Sequence, residues 1–218
     1  MAKNVVGVLG GNYTSSRILT GWLSEADYII GADSGAHRIC ELGFLPHVVL
    51  GDLDSIHLDS LEFFKNSPSV DVVEIRHQDI TDCGKLLSFA EQRGINKLLL
   101  TSTEGDLMDH QLDAIHTAVK SPLDITFGLE RGIGAILKGE VSKQFQVKEG
   151  CRVSLIPITE AKCVQLTGVK WTLENTTLSP TGSTSISNIA TSEVVRVSIA
   201  SGAAYLFIEG ITSFSQLP

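Results

Sequence analysis

The stretch Val48-Val49-Leu50-Gly51-Asp52-Leu53-Asp54-Ser55 decides how this sequence is interpreted. Its apolar start predicts a buried strand, and the carboxylates of Asp52 and Asp54 follow directly at the carboxyl end of that strand. Open α/β sheets bind their ligands at that edge. Two carboxylates at i and i+2 on an extended loop point the same way and repel each other, so a divalent cation is their natural occupant. A solvated acidic turn is the alternative, because Asp, Gly and Ser also form ordinary turns.

Two more predicted strands end in aspartate. The apolar run Tyr28–Ala32 leads into Asp33-Ser34-Gly35, and a further run leads into His77-Gln78-Asp79-Ile80-Thr81-Asp82, where a helix begins. Thr81 as a helix N-cap and Asp82 at the positive end of the helix explain that pair without a ligand. Capping does not explain the other acids, so three strands are predicted to bring carboxylates to one edge.

Strand and helix patterns alternate throughout the first half of the chain. Residues 5–9 and 97–101 predict strands, and 111–119 is amphipathic at helical spacing. The alternation implies an α/β fold with a doubly wound, mostly parallel sheet. The turn Gly10-Gly11-Asn12 lacks the spacing of known nucleotide loops, so it predicts either a tight turn or a nucleotide contact.

After residue 132 the pattern changes to short β runs without helices. They lie at 153–158, 163–166, 194–199 and 203–208, separated by Gly, Ser, Thr and Pro. This rhythm predicts a small antiparallel β-sandwich and domains at 1–132 and 133–218. Because so small a sandwich has many edges and little core, docking across a two-fold axis would protect it.

Charge separates the same two parts of this 218-residue chain. Up to Gly132 there are 19 acidic and 10 basic residues, against 6 and 7 afterwards, and all six histidines lie in the first part. The acidic part is therefore expected to be the metal-dependent one. The net charge of −8 argues against non-specific nucleic-acid binding.

The cysteines and the apolar segments indicate the compartment. Cys40, Cys83, Cys151 and Cys163 show neither a CxxC pair nor zinc spacing, which favours free thiols in a reducing environment. Neither a signal peptide nor an 18-residue apolar stretch is recognised. A cytoplasmic protein without membrane or nucleic-acid partners is expected.

These motifs together resemble the thiamine pyrophosphokinase (thiamine diphosphokinase) family. The resemblance extends over nearly the whole chain, in the family's order, through blocks at 32–38, 51–56, 78–82, Gly105 with Asp109-His110, 168–171 and 185–188. It implies ATP-dependent transfer of a pyrophosphoryl group to the hydroxyl of thiamine, with Mg²⁺ as cofactor. It also implies a homodimer, with thiamine held between modules of different subunits.

The resemblance assigns roles to individual residues. The metal ligands would be Asp33, Asp52, Asp54 and Asp82. The catalytic group would be Asp52, Asp54, Asp82 and Asp109. Nucleotide and metal contacts would come from Asp33, Ser34, Gly35, Ser55, Gln78, Asp79, Thr81, Lys85 and His110. Thiamine would contact Trp171, Ser185, Ser187 and Asn188.

Several of these residues have a plain structural alternative. Asp109 could be a helix N-cap followed by a solvent-facing His110. Trp171 and Tyr205 could belong to the core rather than stack on the substrate. The block 185–188 could be turn chemistry, although three hydrogen-bonding side chains also suit the edge of an aminopyrimidine.

One departure from the family pattern is large. Where the family reads Gly-Gly-Arg-x-Asp-His, this chain has Leu107 in place of the arginine, so a phosphate-binding cation is missing. Candidate substitutes are Arg38, Arg76, Lys85 and Arg131. Smaller departures are Ser34, His47 and His77.

Three rival functions follow. A related pyrophosphokinase could act on another alcohol, such as a hydroxymethylpterin, but Trp171 and the block 185–188 match the thiamine module. A catalytically weak thiamine-binding protein is suggested by Leu107. A phosphatase of the haloacid dehalogenase type is disfavoured, because the first strand lacks a nucleophilic aspartate.

Overall fold

The computed structural model describes residues 3–54, 56, 58–76, 79–105 and 107–218. The chain divides into two compact units, one up to Glu130 and one from Arg131 onward. In the first unit strands and helices alternate in the order β1 Val5–Val8, α1 Ser16–Ser24, β2 Tyr28–Ala32, α2 Ser34–Glu41, β3 Val48–Gly51, α3 Leu58–Asn66, β4 Asp71–Glu74, α4 Asp82–Gln92, β5 Lys97–Thr101, α5 Met108–Lys120 and β6 Asp124–Leu129.

The strands of the first unit form a parallel sheet in the order β6-β5-β1-β2-β3-β4. The chain runs outward from β1 to β4 and returns with β5 on the other side of β1, so the strand order reverses between β1 and β5. The central strands are apolar and buried, as is typical of parallel sheets. The doubly wound sheet predicted from the sequence is confirmed.

The helices of the first unit bury one apolar stripe each. Helix α1 turns Ile18, Leu19, Trp22 and Leu23 inward at helical spacing. Helix α5 begins at Met108 with Leu107 in the N-cap position, so the alternative of Asp109 as an N-cap is wrong and this residue lies in the first turn instead. In the described part of the chain no helix combines the length and apolarity needed to cross a membrane.

The second unit consists of antiparallel strands. They are β7 Gly132–Lys138, β8 Val141–Gln146, β9 Arg152–Pro157, β10 Ala161–Thr167, β11 Leu173–Leu178, β12 Ser185–Ile189, β13 Val194–Ile199 and β14 Ala203–Glu209, followed by a 3₁₀ turn at Phe214–Gln216. One sheet has the order β12-β9-β14-β7 and the other β11-β10-β13-β8.

Each sheet of the second unit has one buried row of side chains. Val195, Val197 and Ile199 of β13 are buried and alternate with more exposed neighbours, and β14 shows the same alternation from Ala204 to Glu209. The predicted β-sandwich-like module is confirmed. Strand β12 lies at the edge of its sheet, and its register against β9 shifts by one residue between Ser185 and Asn188. Ser187 lies within this bulge with φ of 57°.

Candidate functional site

A cleft of about 630 Å³ opens in the first unit where the strand order reverses. Its wall consists of the loops that follow β1 and β5, of Asp52 after β3, and of helices α4 and α5 with the residues just before them. Its lining residues are Leu9, Gly10, Gly11, Asn12, Asp52, Ile80, Thr81, Asp82, Cys83, Lys85, Ser102, Thr103, Gly105, Leu107, His110, Asp113 and Ala114. Doubly wound sheets bind nucleotides at this reversal, and the volume suits a small-molecule site.

Close packing of two loops shapes the wall beside β1. The Gly11 N–H donates to the Ser102 carbonyl at 2.7 Å, and a Cβ at Gly11 would lie 2.4 Å from that oxygen. Only glycine permits this approach. The Arg38 guanidinium ties the same loops together, because Nη1 donates to the Gly11 carbonyl and the Ser102 hydroxyl and Nη2 donates to the Thr14 carbonyl. The Gly10-Gly11-Asn12 turn therefore lines the cleft, and Arg38 holds it in place.

The turn after β3 is built around a buried carboxylate. Gly51 has φ of 146°, and a Cβ there would lie 2.1 Å from Asp33 Oδ1. The Leu53 N–H donates to the same oxygen at 3.1 Å, and Leu53 adopts φ of 64° while its side chain is buried. With Leu53 turned inward, Asp52 and Asp54 come close enough to hydrogen-bond to each other. The sequence Gly-Asp-Leu-Asp therefore folds around Asp33.

Asp33 is 4% exposed, and its surroundings disfavour the charged form. Burial, a hydrogen bond to Asp82 and the charges of Asp82 and Asp52 raise the pKa of Asp33 to about 7, against the opposing Leu53 N–H. Its backbone has φ of 44° and ψ of −119°, a sparsely populated conformation for a residue other than glycine. Strain and charge repulsion at one position are typical of functional sites.

The Lys85 ammonium lies between two of the predicted metal ligands. Its Nζ donates to Asp82 Oδ1 at 3.1 Å and to Asp52 Oδ2 at 3.4 Å, and its side chain is 4% exposed. Burial alone would lower the pKa of Lys85, but the two carboxylates outweigh burial and raise it. Lys85 therefore places a permanent positive charge among the acids of the cleft.

Two neighbouring carboxylates of the cleft at a time can bind a metal ion. The hydrogen bond between Asp52 and Asp54 lowers the pKa of Asp52 and raises that of Asp54, as expected for two acids that share a proton. No three His, Cys, Asp or Glu side chains of the described residues converge closely enough to hold a metal by themselves. Mg²⁺ needs only one or two carboxylates when phosphate oxygens and water complete its shell. The donor set therefore fits a cation that arrives with a polyphosphate.

The remaining predicted nucleotide residues lie in different environments. His110 lines the cleft from the first turn of α5, but Asp109 is exposed and is not among the lining residues. Gly35 packs against the Val8 carbonyl, which a Cβ would approach to 2.3 Å, and is thus needed for helix packing. Ser34, in the first turn of α2, and Asp79, before α4, are exposed. The predicted contacts Ser55 and Gln78 lie outside the described residues.

The structure distinguishes the four cations proposed to replace the family arginine. Leu107 lines the cleft and is 56% exposed. Arg38 bonds the loops described above, whereas Arg76 and Arg131 are exposed and each pairs with a glutamate. Of these four, only Lys85 lines the cleft.

Sequence reasoning missed some residues of the cleft. Asp113 lines it from α5 and accepts a hydrogen bond from the Thr81 hydroxyl at 2.8 Å. Cys83 is a buried lining thiol whose pKa burial raises to about 12. Ile80 adds an exposed apolar side chain to the wall. The helical periodicity of α5 could have placed Asp113 one turn after Asp109, but no local pattern links it to Thr81.

The predicted thiamine residues lie in the second unit around a buried amide. Asn188 is 1% exposed. Its Oδ1 accepts from the Trp171 N–H at 3.0 Å and from the Ile189 N–H at 2.9 Å, while Nδ2 donates to the Trp171 carbonyl at 2.7 Å and to Ser185 Oγ at 3.5 Å. The side chain of Asn188 therefore bonds the protein itself and fixes the backbone of Trp171 to β12.

Apolar side chains are exposed around this anchor. Trp171 is 54% exposed and precedes β11, so the core alternative for it is wrong. Lys170 Nζ lies 4.7 Å from the Trp171 ring centroid, and Ile186 is 60% exposed. Ser187 is exposed and its N–H donates to Ser154 Oγ at 3.0 Å. Because these residues lie on β12 or are bonded to it, turn chemistry does not account for the block 185–188.

Comparisons with known proteins agree over both units. The family model of the thiamin pyrophosphokinase catalytic domain matches residues 19–127, and the model of the thiamin pyrophosphokinase vitamin B1 binding domain matches residues 140–204. A protein from Oryza sativa subsp. japonica, thiamine pyrophosphokinase 1, is 28% identical over 193 residues, which cover 76% of this chain and 73% of that protein.

Solved structures show the same fold at lower identity. The thiamine pyrophosphokinase of Bacillus subtilis aligns with a TM-score of 0.79 and 20% identity, covering 94% of this chain and 98% of its own. The enzyme of Candida albicans aligns with a TM-score of 0.78 and 16% identity, covering 94% and 88%. With both family models matched in order along the sequence, this chain belongs to the thiamine pyrophosphokinase family.

Proposed function

We propose that this protein transfers the pyrophosphoryl group of ATP to the hydroxyl of thiamine, giving thiamine diphosphate and AMP. The observation that carries the proposal is the buried ammonium of Lys85 between Asp52 and Asp82, in a cleft at the reversal of the strand order. We assign the nucleotide to residues 1–132 and thiamine to residues 133–218.

The chemistry requires positioning and charge neutralisation more than a strong base. The thiamine oxygen forms a bond to the β-phosphorus while the bond from that phosphorus to the oxygen bridging to the α-phosphorus breaks, and AMP leaves with the electron pair. The hydroxyl proton passes to solvent. Lys85 supplies positive charge next to the transferring group, and Ile80 and Leu107 provide apolar wall that limits access of water.

Pairs of the carboxylates Asp33, Asp52, Asp54 and Asp82 would hold Mg²⁺, with phosphate oxygens and water completing its shell. When bound, the metal would neutralise phosphate charge and orient the triphosphate. Repulsion between the carboxylates of Asp33 and Asp82, and of Asp52 and Asp54, is what a divalent cation would relieve.

In the second unit, Trp171 and Ile186 offer an apolar surface for the rings of thiamine, and Ser185 and Ser187 offer polar edges. Asn188 would act by fixing this surface. A homodimer, with the site at the subunit interface, and a location in the cytoplasm complete the proposal. The four free cysteines of the described chain suit such a reducing compartment.

An assay of AMP and thiamine diphosphate formation from ATP, thiamine and Mg²⁺ tests the function. Activity should be lost with EDTA and should fall about 100-fold or more in Asp52→Asn, while the exposed acid variant Asp59→Asn stays near wild type. A hydroxymethylpterin alcohol should not replace thiamine. Turnover with the pterin, or an unimpaired Asp52→Asn, would contradict the proposal.

A second candidate is a catalytically weak thiamine-binding protein. The uncharged Leu107 on the cleft wall favours it, because a cation at that position is worth much in phosphoryl transfer. Calorimetry that shows tight thiamine binding without product formation would support this candidate over the enzyme.

A further inference from the structure

Asp113 is an acid at a position where electrostatic repulsion from the proposed ligand would disfavour one. It lines the cleft from α5 together with Asp52 and Asp82, opposite a ligand that is itself a polyanion under the proposed function. Its carboxylate accepts the Thr81 hydroxyl proton at 2.8 Å across the gap between α5 and α4. The sequence separation of 32 residues makes this a tertiary contact rather than a local turn.

Thr81 connects that contact to the residues that act on the ligand. Its hydroxyl oxygen accepts from the Gly84 N–H at 3.4 Å, and its carbonyl accepts from the Lys85 N–H at 2.9 Å. The Thr81 hydroxyl has a single proton, and it donates that proton to Asp113. With the proton so fixed, the oxygen lone pairs remain aimed at the first turn of α4, which carries Asp82 and Lys85.

We propose that Asp113 is a positioning residue: through the Thr81 hydroxyl it fixes the first turn of α4, and thereby the place of the Lys85 ammonium that receives the triphosphate. The inference rests on the proposed function for the identity of the ligand. Lys85 and Asp82 both lie on α4, whereas Asp52 follows β3, so a shift of α4 would change the distance between the Lys85 ammonium and Asp52.

A positioning role and simple electrostatic repulsion predict opposite effects of substituting Asp113. If Asp113 only repels phosphate, Asp113→Ala should tighten nucleotide binding. If it positions α4, the same change should weaken binding about tenfold, the scale of one hydrogen bond to a charged group. Asp113→Asn keeps an acceptor oxygen and removes the charge, so it should bind as well as wild type or better.

Calorimetry with Mg²⁺ and an ATP analogue carrying a methylene bridge between the α- and β-phosphorus measures this binding without turnover. In a double-mutant cycle, Asp113→Ala should raise the Kd about tenfold in the wild-type background and hardly at all in the Thr81→Val background. The exposed acid variant Glu91→Ala on α4 serves as the matched control. In turnover assays, Asp113→Ala should leave KM for thiamine unchanged.

Three binding results would overturn the role of Asp113: binding unchanged or tightened in Asp113→Ala, Asp113→Asn as weak as Asp113→Ala, or equal effects in both backgrounds of the cycle. Failure of the proposed function is distinguishable, because wild type would then bind the analogue but release no AMP with thiamine. A fall in Tm accompanied by a rise in both KM values would show a general folding role and would also reject the proposal.

Discussion

The two candidate sites differ in which side chains they expose: charged side chains line the first, and apolar side chains are exposed at the second. In the cleft of the first unit, acids and a lysine line the wall above a buried apolar sheet. At β12 the polar Asn188 is 1% exposed, whereas Trp171 and Ile186 are 54% and 60% exposed. A polyphosphate with its cation is recognised by charge, and an aromatic ring by a rigid apolar surface. The difference fits the proposal that the first unit binds the charged triphosphate and the second unit binds the rings of thiamine.

Removing the cation of the cleft should have the largest effect. Lys85→Met leaves Asp52 and Asp82 without their partner and should lower kcat about 100-fold or more, measured by AMP release. The exposed variant Lys65→Met is the control. In the Lys85→Met background, Leu107→Arg should recover about tenfold, because a cation returns to the same cleft wall.

In the wild-type background Leu107→Arg should leave kcat unchanged or lower it, since Lys85 already supplies the charge. A clear rise in kcat would show that nothing has replaced the family arginine. That result would support the alternative of a catalytically weak protein and contradict the proposal that Lys85 replaces the family arginine.

Asn188 and Ser187 lie side by side on β12 but should differ in their effect on stability. Asn188→Ala leaves backbone groups of Trp171 and Ile189 unpaired, so the free energy of unfolding should fall by about 2–3 kcal/mol. Ser187→Ala removes an exposed hydroxyl and should change it by less than about 0.5 kcal/mol. Urea denaturation followed by circular dichroism measures both. Equal losses would contradict the role of Asn188 as a structural anchor.

The pH dependence of Asp33→Asn tests the charge repulsion of the cleft. The folded pKa of Asp33 is about 7, against 3.8 unperturbed, so folding favours the neutral carboxyl and the charged form is destabilising. The penalty is absent below about pH 4, grows as pH rises and is complete above pH 7. In metal-free protein the variant should therefore be more stable by up to about 4 kcal/mol at pH 8 and nearly equal to wild type at pH 4.

Mg²⁺ with the ATP analogue should stabilise wild type more than Asp33→Asn, because the variant lacks one of the proposed ligands. If wild type and Asp33→Asn differ in free energy of unfolding by the same amount at pH 4 and pH 8, the charged form of Asp33 does not destabilise the fold.

The exposed ring of the second unit should have the smallest effect. Trp171→Ala should raise KM for thiamine about fivefold, the scale of one aromatic contact, while KM for ATP and the free energy of unfolding stay near wild type. Trp171→Phe should recover most of the loss. A stability loss comparable to that of Asn188→Ala would mean that Trp171 packs as core after all.

Much of the fold and part of the site could be predicted from local sequence. Alternating strand and helix patterns predicted the parallel sheet, and the aspartates after β2 and β3 were predicted to meet at its carboxyl edge, where Asp33 and Asp52 lie. Period and strand direction determine these features, and both are visible within a few residues. The Leu53 turn was harder, because its left-handed backbone depends on Asp33, 20 residues away.

The sequence alone determined which residue types could do the chemistry: the aspartates, Lys85, the missing arginine at Leu107, and the block at 185–188. Only the tertiary structure decided which of them line the cleft and which bond the protein itself. Arg38 and Asn188 are bonded to backbone, Lys85 lies between two acids, and Asp113 contacts Thr81. The physical reason is that each side chain can make only a few hydrogen bonds. Long-range packing determines which groups lie close enough, within about 3 Å, to make them.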